Sequence, residues 1–345
     1  MMKKNIWISN ILRAYPQLEL SDILTFLTES SFGNKIPYIN EAVSTESLHL
    51  GEITYISKEC AKVELITHGD YWISYESVKK VAELSYHRNM QSEEDFLKRI
   101  CDSKSYIEKV KPSTDFNMLH SLVDGYLRRN EQIEHSDVFM KNHPNSYFIV
   151  HQRFLDKLNI ISSIDQTYKE KEKVLVAIDG NASSGKTTFA SWLKAVYVCN
   201  VFHMDDYFMK PVINTYDPYS VYGSNINFAR LNDEVIHPYH QETKSIHQLL
   251  DMKNHELSDP IETAYQPITI IEGAYSMHPY IEKLYQVRIF MKTTYLEQIR
   301  RVYKRNGWKR LLVFIKKWIP MENTYFRDLD IAKKADIIIR THRFQ

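Results

Sequence analysis

A chain of 345 residues, 43% hydrophobic and 25% charged, has the length for two domains and enough apolar side chains for a core in each. Its 44 basic and 43 acidic residues leave a formal net charge of +1, so no global charge excess recruits nucleic acid, and no acidic tail is present. Cys60, Cys101 and Cys199 are far apart with no C-x-x-C spacing, which excludes a zinc ribbon or disulfide framework and fits reduced thiols in a cytoplasmic protein.

The N-terminus "MMKKNIWISNILRAYP" is basic, but Asn5, Ser9, Asn10 and Arg13 interrupt its apolar run, so it makes a poor signal peptide. No window reaches about 18 consecutive apolar residues, so no membrane span is expected. "SDILTFLTESSFG" predicts a helix with Ser21 or Asp22 as N-cap and Gly33 near its stop. "GEITYIS" and "AKVELIT" alternate apolar and polar residues, as half-buried strands do, and "HGD" at 68–70 marks a turn. "SEEDFLKRICDSKSYIEKV" opens with Ser92 three residues ahead of Asp95, a capping-box pattern before Phe96, Ile100 and Ile107. "TDFNMLHSLVDGYLRR" predicts another amphipathic helix, and a further one is expected over 151–163. His135 beside Ser136 has two readings, a catalytic pair or a capped turn with a surface histidine. Residues 1–165 thus read as a mixed α+β domain. The charged run "DQTYKEKEK" (165–173) is a solvated helix end or a linker. The domain boundary is placed there, with 166–173 as linker and 174–345 as a second domain.

From 174 onward the pattern changes. Short apolar runs at 174–179, 200–203, 268–272, 287–291 and 336–340 alternate with helical stretches at 186–198, 228–237 and 294–306. That order predicts βαβ units and a parallel sheet. "IPMEN" at 319–323 is read as a separator between two helices.

The first of these runs carries the chemistry. In "VLVAIDGNASSGKTTFASWLKAV", Gly180 to Thr187 fit G-x-x-x-x-G-K-[ST] between a buried strand and a helix. Gly180, Asn181, Ser183, Ser184, Gly185, Lys186, Thr187 and Thr188 are the candidate phosphate cradle. The glycines let backbone approach an anion, and N–H groups at the helix start point at it. Lys186 is placed to reach the β and γ phosphates and the Thr187 hydroxyl to hold Mg²⁺. "VFHMDDYFMKP" ends a strand in Asp205-Asp206. A carboxylate there can accept a proton from a hydroxyl or hold magnesium through water; a turn or cap aspartate is the competing reading. "ITIIEGAYSMHP" ends a strand in Glu272-Gly273, where an acid suits a Walker-B-like place near Mg²⁺. "EQIRRVYKRNGWKR" puts Arg300, Arg301, Lys304, Arg305, Lys309 and Arg310 on a helix and its exit, a lid able to neutralise phosphoryl charge.

With "NINFARLNDEVIHPY" and "WIPMENTYF", these pieces cover 174–340 in an order that resembles the uridine kinase and phosphoribulokinase-like branch of P-loop kinases. The resemblance implies a five-stranded parallel sheet flanked by helices. It implies phosphoryl transfer from ATP, with Mg²⁺, to a hydroxyl of a small acceptor, typically a nucleoside. Asp205 matches the family's catalytic base; Lys186, Arg301 and Arg305 fall in its phosphate and lid motifs. Thr187 and Glu272 take the metal side, and Asp206, Tyr207 and Asn227 the acceptor side. Three features depart from the family. The lid arginines are more closely spaced. Asn225-Ile226-Asn227 stands where N-x-D usually holds a ribose diol. "HQLLDMKNHEL" (247–257) lacks the usual aromatic-Asp pairing. The expected partners are ATP and the acceptor, without nucleic acid or membrane, and a homo-oligomer stays open. A kinase of another hydroxylated metabolite, or an ATP-binding sensor read by residues 1–165, are the alternatives. The first half is more faintly similar to a bacterial domain family of unknown function, through "YPQLELSDILTFLTESSFG" and "IEHSDVFMKNHPNSYFIVHQRF".

Overall fold

The computed structural model describes residues 17–341 except 35, 41, 58, 89–92, 111, 113–114, 130–132, 143–144, 210–221, 252 and 255. The basic N-terminal segment and Ser92 of the expected capping box lie outside the described residues. The chain divides into two compact units, residues 1–165 and 166–345. Among the described residues no helix is long and apolar enough to cross a membrane.

The first unit opens on α1 (Leu20–Phe32). Its N-cap is Glu19, and Asp22 sits three residues further on, where its carboxylate accepts the Glu19 N–H at 2.7 Å. Either acid suits the positive helix start; the reciprocal pair satisfies two backbone donors together. Gly33 ends the helix at φ 76°, its N–H donating to the Glu29 carbonyl at 2.8 Å. Strands β1 (His49–Tyr55) and β2 (Cys60–Ile66) follow, then helices α2 (Tyr75–Arg88), α3 (Glu93–Val110), α4 (Phe116–Arg129) and α5 (Asp137–Asn142). Strand β3 (Ser146–His151) completes an antiparallel sheet of order β1-β2-β3. Leu24, Leu27, Phe96, Ile107 and Tyr147 anchor the core.

The helix expected over 151–163 is two helices, α6 (Gln152–Leu155) and α7 (Leu158–Lys171). Most of the run read as a linker, 166–171, is therefore the end of α7. His135 is buried, not at the surface. Its Nδ1 lies 3.0 Å from Asp22 Oδ1 and its Nε2 2.6 Å from the Tyr147 hydroxyl. Ser136 donates to Asp22 Oδ2 at 2.7 Å and caps α5, accepting the Phe139 N–H at 3.1 Å. His135 and Ser136 thus meet on one carboxylate, which is packing and capping, not a nucleophile–base pair.

The second unit begins with β4 (Val174–Gly180), buried at every position, then α8 (Lys186–Val196) and β5 (Cys199–His203). Next come α9 (Phe228–Leu231), α10 (His237–Gln241), and two small hairpins. One pairs β6 (Ser245–His247) with β9 (Ile261–Thr263); nested in it, β7 (Leu250–Asp251) pairs with β8 (Glu256–Leu257). Then follow β10 (Ile268–Glu272), β11 (Val287–Lys292), α11 (Tyr295–Val313), α12 (Ile319–Asp328), α13 (Ile331–Lys334) and β12 (Ile337–Arg340). The sheet is β12-β11-β4-β10-β5, and every neighbouring pair is parallel. From β4 the chain builds β5 and β10 on one side, then β11 and β12 on the other. Strand order reverses at β4, so the crevice beyond the strands' carboxyl ends is a topological switch point, where ligands of open parallel sheets bind.

Residues 319–323 do not separate two helices. The chain runs from α11 through a π turn (Phe314–Trp318) into α12, whose first turn holds Pro320, where a missing N–H is tolerated. At the end of β10, Gly273 has φ +138°, and a Cβ there would lie 2.6 Å from Met204 Cβ. Gly273→Ala is expected to cost on the order of 1–3 kcal/mol. A lowered urea midpoint with unchanged slope is the predicted readout; an unchanged midpoint would mean the turn relaxes freely.

Candidate active site

β4 runs into the phosphate-type loop at Gly180, whose φ is +141°. A Cβ at Gly180 would sit 2.1 Å from the Met291 carbonyl oxygen on β11, so no larger residue fits beside that strand. Ser183 and Gly185, at φ 57° and 99°, turn the chain back into α8. The first-turn amides of α8, Lys186 to Thr188, have no acceptor within the helix. The Lys186 ammonium donates to the Gly180 and Asn181 carbonyls, at 2.7 and 3.1 Å. The hydroxyls of Ser183 and Ser184 are buried with no hydrogen-bond partner among the described residues. Unpaired buried donors around a positive helix start fit polyphosphate oxygens.

The loop is tied down from several sides. Asp179, buried at the end of β4, accepts from the Gly180 N–H (2.7 Å), the Met277 N–H (3.0 Å) and the Tyr325 hydroxyl (2.9 Å). Burial pushes its carboxyl up, and Lys186 opposes the shift. Asn181 Oδ1 accepts the Thr293 N–H at 3.1 Å. The Ala182 N–H donates to Glu322 Oε2 at 2.8 Å. Neither Asp179 nor Glu322 was a sequence candidate.

The structure brings Thr187 and Glu272 together: the Thr187 hydroxyl donates to Glu272 Oε1 at 2.8 Å. That oxygen also lies 2.6 Å from His203 Nδ1, and this hydrogen bond raises the His203 pKa. In register, Glu272 stands beside Ile178 of β4 and His203 of β5. Among the described residues no three His, Cys, Asp or Glu side chains gather as a metal cage. One hydroxyl and one carboxylate are nevertheless a suitable protein share for Mg²⁺, which keeps its waters and takes phosphate oxygens.

Asp205 lies second in the short turn Met204–Tyr207 that follows β5. Its side chain is exposed, and among the described residues nothing donates a hydrogen bond to its carboxylate. Enclosure by nearby protein, then the charge of Glu272, raise its pKa, with Lys186 acting against them. Because the carboxylate still reaches solvent, water screens part of that shift.

The acceptor-side expectations need correction. Tyr207 is 1% exposed, a core residue whose ring lies 4.5 Å from the Arg230 guanidinium, so it cannot flank an acceptor as placed. Asp206 accepts the Leu250 N–H at 3.2 Å and so holds the inner hairpin. Asn227 is the N-cap of α9, its side-chain oxygen accepting the Arg230 N–H at 3.0 Å. Arg230, missed from sequence, donates to the Asp206 and Gln248 carbonyls, the latter at 2.9 Å, and so links the Asp205–Asp206 turn to that hairpin.

The lid also divides. Arg301 pairs with Glu297 at 2.6 Å and reaches the Ser183 and Ser184 carbonyls at 3.3 and 3.4 Å. It buttresses the loop from its carbonyl side. Hydrogen bonds from Arg300 and Arg301 hold the Glu297 carboxyl down to about 2. Arg305 is exposed on α11, bonded to its neighbour Asn306 at 2.9 Å, and is not brought to the loop.

Sheet order and loop define the class of fold: a parallel α/β domain of five strands flanked by helices, with a P-loop-type turn between its first strand and helix. No family model and no curated protein matches the chain. Among solved structures it is similar to a possible uridine kinase from Bacillus stearothermophilus, at 18% identity and TM-score 0.37, covering 52% of this chain and 98% of that one. It is also similar to a candidate fructose transport system kinase from Silicibacter sp., at 17% identity and TM-score 0.34, covering 48% of this chain and 89% of that one.

Proposed function

We propose that residues 174–345 form an ATP- and Mg²⁺-dependent kinase that phosphorylates a hydroxyl of a small acceptor, with a nucleoside the first candidate. The observation that carries this reading is the free Asp205 carboxylate, two residues beyond His203, whose strand ends level with Glu272. In this account the 180–188 loop and Lys186 hold the polyphosphate. Thr187 and Glu272 hold Mg²⁺, which when bound neutralises phosphate charge. Asp205 accepts the acceptor's proton as its oxygen attacks the γ-phosphorus and the bond to ADP breaks. Arg301 acts through the loop it buttresses, as a positioning residue, while Arg305 is left as a lid charge. The test is ATP turnover against nucleosides and sugars, scored by the phosphorylated acceptor; nucleotide binding with no such product would favour the sensor alternative.

The cap at Asn227 favours an acceptor other than a plain ribose. Its side-chain oxygen already accepts the Arg230 N–H, so a diol would meet a neutral amide with one remaining lone pair and its NH₂. A carboxylate has oxygens for both the cap and a hydroxyl, and hydrogen bonds to a charged acceptor are stronger than neutral ones. Asn227→Asp is expected to raise kcat/KM for uridine roughly 5–30-fold, the equivalent of about 1–2 kcal/mol. High uridine activity in the parent, lowered by the substitution, would sink the idea.

A further inference from the structure

Glu322 has no part in the account above, yet it touches the phosphate loop. It is 8% exposed, and its Oε2 accepts the Ala182 N–H at 2.8 Å. Ala182 lies between Gly180 and Gly185, in the stretch whose amides form an anion cradle. A carboxylate is therefore seated on a backbone donor of the loop itself, beside the residues that make up the candidate cradle. Charged and titratable groups on several elements act on it. Lys186 on α8 attracts it, whereas Asp179 on β4 and Asp205 after β5 repel it. Tyr275, after β10, also feels its charge, and Tyr325 lies one turn on along α12. Among the described residues its second oxygen, Oε1, accepts no hydrogen bond, so half of the carboxyl is uncommitted.

We propose that Glu322 is an anionic stopper of the phosphate cradle, so that nucleotide enters only as this carboxyl loses its charge. The proposal rests on the kinase reading of the site and adds a coupling between ATP binding and proton uptake. A carboxylate on the Ala182 N–H competes with phosphate for the field of Lys186, and it repels phosphate charge brought to the loop. Once protonated, it no longer repels, and its O–H becomes a donor to a phosphate oxygen. Burial first, then Asp179 and Asp205, hold the carboxyl up at about 7, against the pull of Lys186 and the Ala182 N–H. The sign follows. Below that pH the free protein already carries the proton, and binding needs no uptake. Above it, binding must take up a proton, and affinity falls by up to about tenfold per pH unit.

The experiment measures the dissociation constant of the non-hydrolysable analogue adenylyl imidodiphosphate, with Mg²⁺, for the full-length parent and Glu322→Gln from pH 6 to pH 8.5. Glutamine keeps an acceptor for the Ala182 N–H without the charge. The variant is expected to bind about as tightly as the parent at pH 6 and about tenfold more tightly at pH 8. The ratio of the two cancels the nucleotide's own titration. A second readout uses the parent alone, so it does not depend on the variant folding. Calorimetry in buffers of different ionisation enthalpy should show uptake of close to one proton on binding at pH 8 and much less at pH 6. A ratio that stays flat across pH, with no proton uptake at pH 8, would overturn the stopper while leaving the kinase reading intact. A parent that binds no nucleotide at any pH would overturn both.

Discussion

Lys186→Ala is expected to lose about 10²–10³-fold or more in kcat, the scale of removing one electrostatic donor from a transition state. In the structure the Lys186 ammonium spans the Gly180 and Asn181 carbonyls, so it stands over the loop that would hold the β and γ phosphates. It is also the cation that offsets three nearby carboxyls, Asp179, Asp205 and Glu322. Without it the site turns anionic, and nucleotide affinity should fall together with the rate. Circular dichroism and a melting curve close to the parent's would show that the loss is local. Unchanged turnover in such a folded variant would reject the assignment of this loop to ATP.

Asp205→Asn should separate the acceptor from the nucleotide. Loss of a general base typically costs about 10²–10⁴-fold in rate. Nothing among the described residues donates to this carboxylate, so amide replacement removes no side-chain hydrogen bond of the fold among them. ATP affinity should hold or rise slightly, because one negative charge leaves the neighbourhood of the phosphates. The pH profile carries a further sign. The base works ionised, and its pKa is raised by enclosure and by Glu272. The parent's rate should therefore fall as pH drops through a value above the ordinary aspartate range, and Asp205→Asn should lose that limb. If ATP binding vanished while the limb stayed, Asp205 would belong to the metal site and the base would have to be sought elsewhere.

What could be read from the sequence was what is local. The phosphate loop is eight contiguous residues with fixed spacing. The strands of the second unit are β-branched apolar runs that a buried parallel sheet demands. Both are in the structure where the pattern puts them. Long-range contacts were not legible. Arg301 has the composition of a lid residue, but its bonds to the Ser183 and Ser184 carbonyls cross more than a hundred positions of chain. Tyr207 follows two aspartates and has the look of an exposed aromatic, yet the turn directs it inward beneath Arg230. Asn227 sits in an acceptor-type motif and spends its oxygen on a helix start. Glu322 was hidden by Pro320, which reads as a break when the helix is unknown and as a first-turn residue once it is known. In the first unit, Asp22 reads with Ser21 as an N-cap candidate, whereas Glu19 takes that place and Asp22 the third helical position, and only Tyr147 and Ser136, far along the chain, show why Asp22 also binds His135.

The central claim is that Asp205 and the phosphate loop act together on an acceptor hydroxyl. Its most direct test incubates the full-length protein with ATP, Mg²⁺ and single nucleosides or sugars, and follows ADP and the acceptor by mass spectrometry. The account predicts a phosphate monoester of at least one acceptor, formed in step with ADP and absent in Asp205→Asn. Tight nucleotide binding with no phosphorylated acceptor across the panel, or the same product yield from Asp205→Asn, would contradict it.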